Sequence, residues 1–186
     1  DTVARRADLH YPLQEEQLGT GHAVMCAMSA LPKTTRHVVV LCGDVPLLGK
    51  QTLQRFVHDH RSQQRTLSVL AVRLSDPTGY GRIVQDPHGH VTGIVEEADA
   101  TPSEKAISLV NTGIYCIEKT FLESSLRRIR SDNAQGEYYL TDIVGLAYQG
   151  HHAIGVTIGT DADEFLGVNS PEQLKAVERL LANARF

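Results

Sequence analysis

Asp44 follows an apolar run, Val38 to Cys42, and is preceded by Gly43. A carboxylate just past such a run can reach a ligand or hold a hard cation, and Gly43, lacking a Cβ, lets a substrate come close to the backbone. The alternative is a plain strand-to-loop turn with a solvated Asp. Asn169, directly before Ser170-Pro171, is a second oxygen donor at an expected loop edge. Two such donors with substrate phosphates would suit Mg²⁺, which takes few protein ligands and keeps water and phosphate oxygens; Asn169 serving only its turn is the other reading. Glu96 ends a strand pattern and can accept from sugar hydroxyls, or belongs to a solvated acidic loop with Glu97 and Asp99. Asn111 lies inside a strand pattern, where an amide needs a ligand, backbone or water partner. Leu18-Gly19-Thr20-Gly21 opens a helix, so its free N–H groups form an anion or nucleotide site or merely a turn. It is neither a Walker A loop nor GxGxxG.

These residues need elements to hold them. Val38–Cys42 reads as a strand buried on both faces, as inside a parallel sheet. Ala23 to Ala30 suggests a short helix ended by Pro32, and Leu53, Phe56 and Val57 form one stripe of a helix from about Gly49 to Gln63. Thr66–Val72 is strand-like. Ile83-Val84 and Val91–Val95 flank Asp86-Pro87-His88-Gly89, a hairpin that makes the sheet mixed. Leu109–Ile117 is a strand interrupted by Asn111-Thr112-Gly113. Phe121, Leu122, Leu126 and Ile129 mark a helix, Ile143, Leu146 and Ala147 another, and Ala153–Ile158 a further strand. Ser170 as N-cap, Pro171 and Gln173 start the last helix, with Leu174, Val177, Leu180 and Leu181 as its expected buried face. Alternating strands and helices indicate one layered α/β domain.

Composition narrows the function. With 186 residues and a net charge of −4, nothing attracts nucleic acid or anionic lipid globally. No run is long enough to span a bilayer. Cys26, Cys42 and Cys116 are isolated among apolar residues and read as reduced core thiols of a cytoplasmic protein. His58 and His60, His88 and His90, and His151 and His152 come in close pairs without a metal-ligand setting and are expected on helix or loop surfaces.

Taken together, Leu13 to Ala23, Gly43-Asp44-Val45-Pro46-Leu47, Asp76-Pro77-Thr78-Gly79-Tyr80-Gly81-Arg82, Gly93-Ile94-Val95-Glu96, Asn111-Thr112-Gly113, Ala134 to Asp142 and Gly167-Val168-Asn169 resemble one family. It is the uridyltransferase domain of the bacterial bifunctional N-acetylglucosamine-1-phosphate uridyltransferase/glucosamine-1-phosphate acetyltransferase. Each motif is weak alone; their order and spacing from about Gln14 to the last helix are specific. The resemblance implies a Rossmann-like nucleotide-diphospho-sugar transferase, a three-layer sandwich with a mostly parallel mixed sheet, incomplete at the N-terminus. It implies that UTP and N-acetylglucosamine 1-phosphate give UDP-N-acetylglucosamine and pyrophosphate with Mg²⁺, for cell-wall and lipopolysaccharide precursors. By motif, Asp44 and Asn169 are the expected catalytic metal ligands. Gln14, Gly19 and Thr20 fall to the nucleotide and Gly81, Glu96 and Asn111 to the aminosugar, with Cys42 and Gly43 also expected against the substrate. Cys42 stands where the relatives usually carry Tyr.

Two departures accompany the likeness. Nothing before Gln14 matches the family's G-x-G-T-R-M loop, and no β-helix acetyltransferase domain, through which the family forms trimers, follows. With Asp1 at the start, the sequence is expected to be a piece of the enzyme, inactive alone, with an unpaired edge beside the Val38–Cys42 strand. The rival readings are a nucleotidyltransferase for another sugar 1-phosphate and a non-catalytic sugar-nucleotide-binding fragment.

Overall fold

A computed structural model describes residues 9–183. The chain runs α1 (Thr20–Ala27), a 3₁₀ turn (Met28–Ala30), β1 (His37–Val40), α2 (Lys50–Ser62), β2 (Leu67–Arg73), β3 (Arg82–Gln85), β4 (Val91–Val95) and the one-turn helix α3 (Pro102–Lys105). It continues with β5 (Leu109–Glu118), α4 (Lys119–Leu126), α5 (Asp142–Gln149), β6 (Ile154–Ile158), a 3₁₀ turn (Ala162–Phe165) and α6 (Pro171–Asn183).

The strands form one mixed sheet in the order β4-β3-β5-β2-β6, with β1 also on β5. β5 lies antiparallel to β2 along its length, while β1 and β3 share its other edge at opposite ends. The sheet is mixed as expected, but its pairings are not mostly parallel: β2 and β6 are the only parallel neighbours among the described residues, because β5 runs antiparallel to β1, β2 and β3, and β3 to β4. β2 is buried throughout Leu67–Val72, and its alternation fixes the layers. Leu67, Val69 and Ala71 face one core with Leu122, Ile143 and Val144 of α4 and α5. Leu70 and Val72 face the other with Phe56 of α2 and Phe165. The result is a helix–sheet–helix sandwich, each fully buried Leu, Ile or Phe contributing about 1.5–3 kcal/mol.

The hairpin forms as expected. Asp86 Oδ1 accepts from the amides of His88 and His90, and Gly89 takes φ +85°. Ser170 Oγ accepts from Gln173 N, and Gln173 Oε1 from Asn169 N.

Three further expectations are corrected. The Val38–Cys42 run is not buried on both faces: β1 ends at Val40, Val39 and Leu41 are 38% and 48% exposed, and among the described residues β1 pairs with β5 alone. An apolar run reports what a strand can bury, not which neighbours it has; the strand buried on both faces is β2. His60 is fully buried rather than on the surface, bonded to Ser68 Oγ at 2.9 Å and to His37 at 3.0 Å. Among the described side chains of α6 only Val177 is buried, whereas Leu174 and Leu181 are 47% and 42% exposed.

Candidate active site

Asp44, Gly81, Glu96, Asn111 and Asn169 gather at the end of the sheet where β1 hands over to Asp44. Register shifts between β2 and β5, so that Leu70 faces Ile114 while Ala71 faces Asn111. Thr112 and Gly113 are thereby squeezed out as a bulge. Gly113 takes φ +76°, Thr112 Oγ1 donates to Leu70 O at 2.7 Å, and Asn111 Oδ1 accepts from Gly113 N at 3.0 Å. The strand-interior amide thus has a backbone partner, and the bulge aims it into the cleft.

Asp44 O accepts from Val168 N at 2.9 Å, which ties the loop after β1 to the loop before α6. A Cβ built on Gly167 would lie 3.6 Å from Asp44 Oδ2 and 3.4 Å from Asn169 Nδ2. The two side chains therefore converge on the space over Gly167 although 125 positions separate them in the chain. Rotation of the Asn169 amide presents its oxygen instead of its nitrogen. An exposed carboxylate and an amide converging over a residue without a Cβ fit a hard cation that keeps several non-protein ligands. Among the described residues no group of three or more His, Cys, Asp or Glu could hold a metal.

A cleft of about 360 Å³ is lined by Asp44, Asn169, Cys42, Gly81, Glu96 and Asn111, with Thr78 to Tyr80. A second, of about 650 Å³ and more apolar, shares Cys42, Asp44, Glu96 and Asn111 and extends along α1 past Thr20. Gly81 O accepts from Asn111 N at 2.8 Å, so the two expected sugar contacts are neighbours across β3 and β5. Gly43 is exposed beside Asp44.

Gln14 and Gly19 line neither cleft. Gln14 Nε2 donates to Gly19 O at 3.2 Å and bonds His22 at 3.1 Å. Gly19, at φ +103°, has no room for a Cβ, which would meet Glu137 Cβ and Tyr138 O at 2.8 Å. Gly21 N donates to Tyr138 O, Tyr138 N to Leu18 O, and Leu140 N to Thr20 Oγ1. In this structure the Gly-rich turn is therefore zipped to the 138–140 segment.

That segment supplies what sequence reasoning missed. Thr141, buried, donates from Oγ1 to Glu96 Oε1 at 2.9 Å. Burial pushes the Glu96 carboxyl above the usual range; the Thr141 bond opposes this, and Asp142 and Asp99 add to it. Tyr115, fully buried beside them, has its phenol pushed far up, first by burial and then by Glu96. The run Tyr138 to Asp142 held the only sequence signal for Thr141, and nothing in it named Glu96 as the partner.

The cleft thus opens at the strand ends of an open α/β sheet, the place where such sheets bind ligands. A family model described as "Nucleotidyl transferase" matches residues 3–165. The chain belongs to that nucleotidyl transferase family. It is 49% identical over 185 residues to "Bifunctional protein GlmU" of Trichlorobacter lovleyi, covering 97% of this chain and 40% of the relative. The protein of the same name from Geotalea daltonii is 43% identical over 178 residues, covering 96% and 39%. The chain thus spans about 40% of the length of these relatives. Its fold matches a UDP-glucose pyrophosphorylase complexed with UDP-glucose, with TM-score 0.70 and 15% identity over 92% of this chain and 65% of the other. It also matches a putative glucose-1-phosphate thymidylyltransferase from Bacillus anthracis, with TM-score 0.65 and 19% identity over the same shares. Among the described residues no helix is long and apolar enough to cross a membrane.

Proposed function

We propose that this chain is the uridyltransferase part of a longer cytoplasmic enzyme that joins UTP to N-acetylglucosamine 1-phosphate, releasing pyrophosphate. The observation that carries the reading is the convergence of Asp44 and Asn169 over Gly167 in the cleft that also holds Gly81, Glu96 and Asn111. The GlmU relatives support the choice of reaction. An anionic oxygen of the sugar phosphate attacks the α-phosphorus of UTP in line; a new P–O bond forms as the bond to pyrophosphate breaks. The nucleophile already carries its charge, so no strong general base is needed, and the protein's task is positioning.

Asp44 and Asn169 would hold Mg²⁺, which when bound neutralises phosphate charge. Glu96 accepts from sugar hydroxyls, its carboxylate oriented by Thr141. Asn111 offers the amide hydrogens not engaged by the bulge, and Gly81 leaves room for the sugar ring beside Glu96. Trimer assembly belongs, in this reading, to parts of the relatives that the chain does not span.

The test is pyrophosphate release by the full-length protein with UTP and a panel of sugar 1-phosphates. N-acetylglucosamine 1-phosphate is expected to outpace glucose 1-phosphate, and Asp44→Ala to abolish turnover with the fold intact, because Asp44 is exposed. Equal rates for the two sugars would refute the substrate assignment, and an active Asp44→Ala protein would refute the site.

A further inference from the structure

Arg82 is the largest fully buried side chain, 1% exposed, and its charge lies directly behind the wall of the smaller cleft. It sits at the start of β3, paired with Val95 of β4 on one side and Val110 of β5 on the other. Its guanidinium makes a fan of bonds that no neighbouring element could make for itself. One terminal nitrogen donates to Tyr80 O. The other donates to Lys105 O, at the end of α3, at 3.4 Å and pairs with Glu97 Oε2 at 2.6 Å. The same Glu97 oxygen accepts from Gly79 N at 3.3 Å, while its partner oxygen lies 3.5 Å from Lys105 Nζ. Among the described residues Arg82 Nε has no partner, so the guanidinium is held by these terminal bonds.

The groups tied together are the back of the cleft. Gly79, Tyr80 and Gly81 line it from the loop, and Glu96 lines it from the end of β4. Glu97, the next residue, does not line it and turns instead to Arg82. Gly81, the residue before Arg82, bonds through its carbonyl to Asn111 N. One buried cation thus sets the loop, Glu96 and Asn111 relative to one another, and a buried charge of this kind is retained only with its partners in place.

We propose that Arg82, with Glu97, is a positioning residue that sets affinity for the sugar phosphate without touching it. This rests on the reading of the cleft given above. UTP is expected to be less affected, because no residue of the fan lines the larger cleft that runs past Thr20 along α1.

The experiment compares Glu97→Gln and Arg82→Lys with the wild type in the full-length protein. It reads KM for each substrate, kcat, thermal midpoint and amide exchange at Gly79 and Asn111. Glu97→Gln keeps the shape and one acceptor but loses the charge. It is expected to raise KM for N-acetylglucosamine 1-phosphate about tenfold, leave KM for UTP within about twofold, and speed exchange at Gly79. Arg82→Lys, which loses the fork that reaches Tyr80, Lys105 and Glu97 together, is expected to do the same more strongly. If that protein does not fold, Glu97→Gln, whose side chain is partly exposed, decides alone. Equal rises in both KM values, or no rise, would overturn the proposal and leave the pair a purely structural role. A wild-type protein that does not turn over these substrates would sink the uridyltransferase reading instead. Amide exchange, independent of that reading, then decides the positioning role: faster exchange at Gly79 in Glu97→Gln supports it, and wild-type rates overturn it.

Discussion

Thr141 Oγ1 donates to Glu96 Oε1 at 2.9 Å, and this bond opposes the larger effect of burial on the carboxyl that faces the cleft. Burial favours the protonated acid; the hydroxyl favours the carboxylate. A folded carboxyl that keeps its proton above its unfolded value gives stability at low pH that is lost as pH rises through the raised value. Ionising Glu96 therefore costs stability, and Thr141 limits that cost.

Removing the hydroxyl should push the carboxyl further up. Thr141→Val is expected to raise KM for the sugar phosphate about tenfold near neutral pH, the usual worth of a bond to a charged group. It should also move the acid limb of the KM profile to higher pH. A profile that keeps its wild-type midpoint would show that Glu96 does not need this bond.

Gly81 faces the same carboxylate. A Cβ there would lie 3.0 Å from Glu96 Oε2 and 3.0 Å from Ile94 Cγ2. Ile94 is packed in the core on β4, so Glu96 is expected to take most of the shift. Gly81→Ala is expected to impair the sugar phosphate more than UTP and to cost about 1–2 kcal/mol of stability, in the range of mild overpacking. Chemical denaturation together with paired KM measurements checks both halves.

His60 carries a different kind of charge problem. Burial first, then His37 and Arg65, hold its imidazole down at about 4 rather than 6.5. The unfolded chain takes up the proton at higher pH, so the stability tied to neutral His60 is complete above about 6.5 and drains as pH falls toward 4. The gap corresponds to about 3 kcal/mol at most. Urea unfolding between pH 7 and 4 should show this loss. In His60→Gln that part of the slope should vanish, with a cost of about 1 kcal/mol at pH 7 for the weakened bonds to Ser68 and His37. A slope unchanged by the substitution would place the proton uptake elsewhere.

His60 also shows where sequence reading stops. Its partners lie on β1 and β2, and no local pattern announces them. The same holds for Arg82, whose burial depends on Glu97 and the end of α3. Features closed within a few residues were legible: the Asp86 turn, the Ser170 cap and the Phe56 stripe on α2. Of the expected site residues, Asp44, Gly81, Glu96, Asn111 and Asn169 line one cleft, while Gln14 and Gly19 line neither this one nor the larger. The apolar run at Val38 misled because apolar character marks a capacity for burial, while pairing is settled by distant strands. The Thr141 bond and the bulge that aims Asn111 needed register, which periodicity does not encode.

The bulge offers the sharpest separation of causes. Gly113 has φ +76°, and a Cβ on it would collide with Cys42 Sγ. That thiol sits 3.6 Å from Gly113 O and 3.8 Å from Thr112 O. Two penalties therefore await Gly113→Ala: the left-handed backbone, about 1 kcal/mol, and the clash with Cys42. Only the second can be relieved from the other side. Cys42→Ala alone should cost about 1 kcal/mol for a half-buried thiol. In the double variant the loss should be less than the two single losses added, by about 0.5–1 kcal/mol, because a methyl at position 42 leaves space for the new Cβ. The backbone share should persist in both backgrounds. Additive losses in a double-mutant cycle by urea unfolding would mean that the backbone, not the thiol, is what reserves position 113 for glycine.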